Sequence, residues 1–268
     1  MLLSRNELFA SGSKLKNFGL QLWTVKEDMG KDAKDTLKQV SSFGYTQIES
    51  FEGAKGMFWG MSPADFKKYM DDLGMKIISS HCNIDKDFEK KAADAASIGM
   101  KYLICPWKGP QKSIDAFKKI AEDFNTKGEI CKKNGIRFAY HNHGYSFAAL
   151  EGQMPQDVMM DNTNADTVDY EMDIYWVVTG GADPIKYLEK YKNRFRLCHV
   201  KDRAKNADPK NQDASCIAGE GSIDFPKILE VAKKKGMEYY IIEQEKFTDS
   251  TPLKSAQADA KYMQMVKL

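Results

Sequence analysis

The chain has 268 residues with 40 Lys+Arg against 38 Asp+Glu, a net charge of +2. That balance gives neither the basic footprint of a nucleic-acid binder nor a polybasic membrane anchor. Mean hydropathy is −0.54, and no apolar run approaches the roughly 18 residues that span a bilayer, so what remains is a globular chain able to bury a full core.

Residues 1–17 are polar and aperiodic and read as an N-terminal arm or linker, with one domain over 18–268. Beyond them a unit recurs in which a helical stretch ends at a glycine and a short apolar strand follows, at Gly44, Gly74, Gly99, Gly135 and Gly236. Ser62-Pro63, Asp183-Pro184, Asp224-Phe225-Pro226 and Thr251-Pro252 mark helix starts. Strands are predicted at 18–23, 45–50, 76–81, 101–105, 136–143, 168–173, 194–200 and 239–243, with a loop and one short helix near 155–162 between the fifth and sixth. Eight strands alternating with helices predict an α/β fold, a single (βα)8 TIM barrel. A doubly wound sheet lacks support, because Gln21-Leu22-Trp23-Thr24 stands where a glycine-rich nucleotide loop would follow the first strand. Five cysteines without paired spacing predict free thiols and a cytoplasmic chain, or a periplasmic one if an export signal precedes it.

Barrel active sites lie at the C-terminal ends of the strands. All four histidines fall there: His81, His141, His143 and His199. So do Glu49, Asp173, Glu243 and Glu245. Imidazoles and carboxylates without a thiolate suit a catalytic divalent cation, Mn²⁺, Co²⁺, Zn²⁺ or Mg²⁺. Asp173 and His199 are the leading ligands. His141 and His143 share a strand face by alternation, as do Glu243 and Glu245, so spacing leaves open which of each pair binds. Trp23, Trp59, Trp107 and Trp176 stand near strand ends, where indole faces either stack on sugar rings or fill the core. Lys201 is read as a substrate-hydroxyl or phosphate ligand or half of a Lys201–Asp202 ion pair, Gly219-Glu220-Gly221 as a tight loop or phosphate cradle, and 206–212 as a lid.

Several stretches together resemble the sugar phosphate isomerase/epimerase family of xylose isomerase-like TIM barrels. They are Gly19-Leu20-Gln21-Leu22-Trp23-Thr24-Val25, Tyr140-His141-Asn142-His143, Glu171-Met172-Asp173-Ile174-Tyr175-Trp176, His199-Val200-Lys201-Asp202, Gly219-Glu220-Gly221 and Ile242-Glu243-Gln244. The resemblance implies a divalent metal held from the fifth to eighth strands, here by His141, Asp173, His199 and Glu243. His141 stands where many relatives carry Glu, Ser146 where close relatives often carry Glu, and Trp176 where the epimerases place a polar substrate contact. The implied function is metal-dependent isomerisation or epimerisation of a carbohydrate through an enediolate. Glu243, His143 and Lys201 are then the catalytic candidates, and Trp23, Glu49, His81, Trp107 and Trp176 the substrate contacts. The alternatives are a keto-sugar lyase or dehydratase, a non-catalytic sugar-binding barrel, and an endonuclease IV-like nuclease. The expected partner is a small carbohydrate, with neither nucleic acid nor membrane, and a homo-oligomer is compatible with the chain.

Overall fold

A computed structural model describes residues 12–268. Eight parallel strands close into one barrel. They are β1 (Gly19–Gln21), β2 (Gln47–Phe51), β3 (Lys76–His81), β4 (Tyr102–Cys105), β5 (Arg137–His141), β6 (Val168–Asp173), β7 (Phe195–Val200) and β8 (Tyr239–Ile242). Each pairs with its neighbours in the sequence, and β8 closes on β1 through Gly19↔Ile241 and Leu20↔Ile242. The expected barrel is therefore the observed one.

The punctuation expected of the helices is present. The five helix-ending glycines all have φ between +69° and +99°. Ser62, Asp183, Asp224 and Thr251 each accept an amide of the first turn of the helix they open. Two strands are shorter than predicted by more than one residue, the first and the fifth. Gln21 Oε1 takes the Trp23 amide at 3.0 Å and turns the chain into a 3₁₀ helix over Leu22–Val25. After β5 the chain leaves the sheet at Asn142, so His143 lies past the strand rather than on it. The 155–162 expectation becomes a helix over Pro155–Asp161.

Residues 1–11 of the expected arm lie outside the described residues. Leu15 donates to the Val266 carbonyl at 2.8 Å and Leu268 to that of Ser13 at 3.0 Å, so the end of that stretch is fastened to the C-terminal residues. All five cysteines are free. No helix among the described residues is long and apolar enough to cross a membrane.

The main core fills the space between sheet and helices. A second, small cluster of Tyr102, Ile104, Ala139, Leu197 and Ile241 is made of alternate, inward-facing strand positions and plugs the barrel interior. Further along the same inward rows the residues turn polar: Ser79 and His81 on β3, His141 on β5, Glu171 and Asp173 on β6, and His199 on β7. The apolar plug gives those polar groups a dry floor.

Candidate active site

Two tiers of polar side chains stand on that floor. In the lower tier, Glu49 Oε1 accepts from Gln21 Nε2 at 2.7 Å and from His199 Nε2 at 2.7 Å, while its Oε2 accepts from Ser79 Oγ at 2.6 Å. Glu171 Oε2 lies 2.8 Å from His81 Nε2, 3.0 Å from His141 Nδ1 and 3.3 Å from His199 Nε2. His81 Nε2 is also 3.1 Å from Glu49 Oε1. Two buried carboxylates thus knit three imidazoles together.

The upper tier is more open in its bonding. Asp173 Oδ1 caps the next helix through the Trp176 amide at 2.9 Å. Its Oδ2 is buried and accepts no hydrogen bond. His141 Nε2 and His199 Nδ1 each stand 3.8 Å from that orphaned oxygen, and Lys201 Nζ 3.7 Å. Glu243 Oε2 is 3.3 Å from His199 Nδ1 and 3.0 Å from Lys201 Nζ. Ligands 2.0–2.1 Å from a tetrahedral ion stand about 3.3 Å apart. Asp173, His199 and Glu243 converge at that scale, and His141 Nε2 stands 3.8 Å from the same Asp173 oxygen. This donor set fits a divalent cation.

Electrostatics sharpen the picture. Burial opposes a charge on Lys201, but Glu243, Asp173 and Glu245 outweigh it and hold the ammonium protonated well above its usual range. Burial would also raise Glu243, yet Lys201 and His199 drive it well below the carboxylate range. Glu245 is raised, by burial and then by the charge of Glu243. Burial lowers His143 to about 3, helped by Lys201, so it is neutral at physiological pH. Its Nδ1 is buried without a partner.

A cavity of about 470 Å³ opens above these tiers, with His81, His141, His143, Glu243 and Glu245 in its floor and walls. Trp23, Trp107 and Trp176 line it too. Trp23 is 38% exposed and Trp107 53%, as befits aromatic faces at a mouth. Trp107 stands edge-on to His143 at 4.5 Å and to Tyr145 at 4.8 Å between ring centres. The Tyr145 hydroxyl accepts the amides of Lys108 and Gly109, fixing the loop that carries Trp107.

The structure redistributes several expected roles. Glu49 lies beneath the cavity wall, bonded to His199 rather than facing the open space. Lys201 and Asp202 do not pair with each other: neighbours in an extended chain point to opposite sides. Asp202 takes the amides of Gly219, Gly221 and Ile223 at 2.9–3.1 Å. The Gly219-Glu220-Gly221 turn is therefore no phosphate cradle, since its amides already hold the chain's own carboxylate. Segment 206–212 is tied down by Arg203, which donates to the carbonyls of Asp208 and Asn211 at 2.7 and 2.8 Å, and no residue of it lines the cavity. Trp59 bonds Ser50 through its indole N–H at 3.1 Å, outside the cavity. Ser146 is likewise buried off the cavity, 3.4 Å from the Tyr140 hydroxyl. Glu171 is the residue whose placement sequence reasoning missed. Its signal was its position two residues before Asp173, on the same inward row.

A closed eight-stranded barrel with a carboxylate–imidazole cluster at the C-terminal ends of its strands defines the class. The family model of the xylose isomerase-like TIM barrel matches residues 37–265, and the chain belongs to that family. A sugar phosphate isomerase/epimerase from Parabacteroides distasonis is similar over 96% of this chain and 95% of its own, with 29% identity and a TM-score of 0.81. The IolI protein with a bound zinc atom shares the fold at 17% identity and a TM-score of 0.75, over 92% and 96% of the two chains. Inosose dehydratase of Clostridium perfringens is 29% identical over 140 residues, 48% of this chain and 46% of that protein. The chain spans about half the length of the first of these curated relatives.

Proposed function

We propose that the protein is an enzyme that moves a proton beside a carbonyl of an unphosphorylated sugar or related polyol, with a divalent ion held by His141, Asp173, His199 and Glu243. The observation that carries this is Asp173 Oδ2: a buried carboxylate oxygen with no hydrogen bond, faced by two imidazole nitrogens at 3.8 Å. Leaving such an atom without a hydrogen bond, with only a long contact to Lys201 Nζ at 3.7 Å, costs free energy that an ion would recover.

The bound ion supplies Lewis acidity toward a substrate carbonyl and its neighbouring hydroxyl. The chain supplies the rest. Trp23, Trp107 and Trp176 present apolar faces to a sugar ring. Glu245, with 36% of its side chain exposed against 7% for Glu243, is the carboxylate placed to take the α-proton, while Glu243 serves as ligand. Lys201 bonds both glutamates and holds them in register. The neutral His143, with its free Nδ1, binds a hydroxyl or relays the proton. Among the cavity residues Lys108 is the one lysine or arginine, and it is paired to Asp85 at 3.2 Å. That lining supports an unphosphorylated substrate.

Return of the proton to a different carbon or face gives isomerisation or epimerisation. Loss of a hydroxyl one carbon further gives dehydration. The inosose dehydratase relatives favour the second outcome as strongly as the Parabacteroides neighbour favours the first.

The test is proton NMR in D₂O of the Zn²⁺-, Mn²⁺-, Co²⁺- or Mg²⁺-loaded protein with ketoses, keto-sugars and inososes. Exchange of a substrate C–H, abolished in His199→Ala, supports the reading, and the accompanying product distinguishes isomerase from dehydratase. Metal binding with sugar binding but no exchange leaves a binding protein and overturns it.

A further inference from the structure

This inference rests on the metal reading just given. His141 and His199 offer one ring nitrogen each toward the ion, and the structure shows where the other nitrogen of each ring goes. His141 Nδ1 lies 3.0 Å from Glu171 Oε2. His199 Nε2 lies 2.7 Å from Glu49 Oε1 and 3.3 Å from Glu171 Oε2. We propose that Glu171 and Glu49 are positioning residues, a buried carboxylate tier that fixes the tautomer and ring plane of both histidine ligands. An ionised carboxylate only accepts, so the nitrogen facing it carries the hydrogen. That leaves Nε2 of His141 and Nδ1 of His199 bare, and these are the nitrogens that face Asp173 and Glu243.

The tier is braced from below and behind. Gln21 and Ser79 hold Glu49, and His81 bridges Glu49 and Glu171 at 3.1 and 2.8 Å. A histidine ligand has two ring nitrogens, and a hydrogen bond to one of them decides which is left to face an ion. His81, His141, Glu171 and His199 also cluster closely enough to suggest a second ion. Two of their separations, 2.8 and 3.0 Å, are hydrogen-bond lengths shorter than the roughly 3.3 Å between ligands of one ion. The lower tier is support, not a site.

With only four histidines in the chain, long-range ¹H–¹⁵N spectra of labelled protein can be assigned by single replacements. In the Zn²⁺-loaded protein the hydrogen is expected on Nδ1 of His141 and Nε2 of His199. Glu171→Gln and Glu49→Gln should each weaken Zn²⁺ binding, read by chelator competition, by about 10–100-fold. They should also alter the visible spectrum of the Co²⁺-loaded protein, which a merely structural role would leave unchanged. Opposite tautomers in the wild type, or Zn²⁺ affinity within about threefold of wild type in both variants, would overturn the proposal. If a variant does not fold, the wild-type spectrum decides alone. If the wild type takes up no Zn²⁺, the functional reading falls by itself. The metal-free spectrum then still tests the positioning role of Glu171: hydrogen on His141 Nδ1 supports it and hydrogen on Nε2 overturns it.

Discussion

Asp259 shows what an acid costs when its environment is incomplete. It is buried in the helix Pro252–Met263, where Oδ1 accepts the Ala218 amide at 2.8 Å and Oδ2 accepts nothing. Burial pushes this carboxyl up to about 8, only partly relieved by the Ala218 amide and reinforced by Asp202 and Glu220. The folded chain therefore holds a proton that the unfolded chain releases near pH 4. The favourable neutral form is fully present below that point, and its contribution is lost as pH rises toward 8. Asp259→Asn should flatten this slope and raise the melting temperature at pH 8 by roughly 2–4 °C. Melting curves from pH 5 to 9 check it, and an unchanged slope refutes it. Placement was legible in the sequence where alternation and strand ends coincide, as at His141, Asp173, His199 and Glu243, which the barrel brings to one rim. It was not legible for Glu171, because an inward carboxylate inside a strand reads the same whether it binds, supports or pairs. Lys201 illustrates the same loss: its partners, Glu243 and Glu245, are more than forty residues away.

At the scale of elements, the turn between the short strand pair Asp202–Arg203 and Ser215–Cys216 and the helix Phe225–Lys234 is built around one carboxylate. A Cβ on Gly221 would lie 2.2 Å from Asp202 Oδ1 and 2.3 Å from the Arg203 carbonyl oxygen. Gly221→Ala must displace Asp202 from its amides. An overpacking cost of about 1–3 kcal/mol is expected, read as a lower denaturation midpoint. A midpoint equal to wild type would show that the turn relaxes freely. The glycine pair was visible in the sequence, but its ligand was not: a Gly-x-Gly that welcomes phosphate and one that wraps the chain's own aspartate have the same letters. The helix-ending glycines were read correctly because their role is local, set by the chain's own turn rather than by a distant partner. The end of β5 was misjudged for the opposite reason. At Asn142 the chain is held by a distant partner: its side chain donates to the Asp173 carbonyl at 3.1 Å and accepts the Asp173 amide at 3.2 Å.

Across the whole molecule, the barrel was legible because a parallel sheet buried on both faces writes eight apolar runs at regular intervals. The closure itself is uneven. β1 contributes three residues and meets β8 at two register pairs, while β7 and β8 share four. Gly19 brings no side chain to that junction, and an added Cβ would touch Ile241 at 3.3 Å. The cylinder is therefore expected to open first at this seam. In native-state amide exchange, Leu20 and its β8 partners should lose protection before the β6–β7 ladder, and equal protection of the two would contradict it. Glu243 follows Ile242 directly, so each excursion of that seam carries one wall of the site with it. An ion gripping Glu243 on one side and Asp173 and His199 on the other would act as a latch on the barrel's weakest stave, and the slowing of exchange at β1 would report its capture without any substrate.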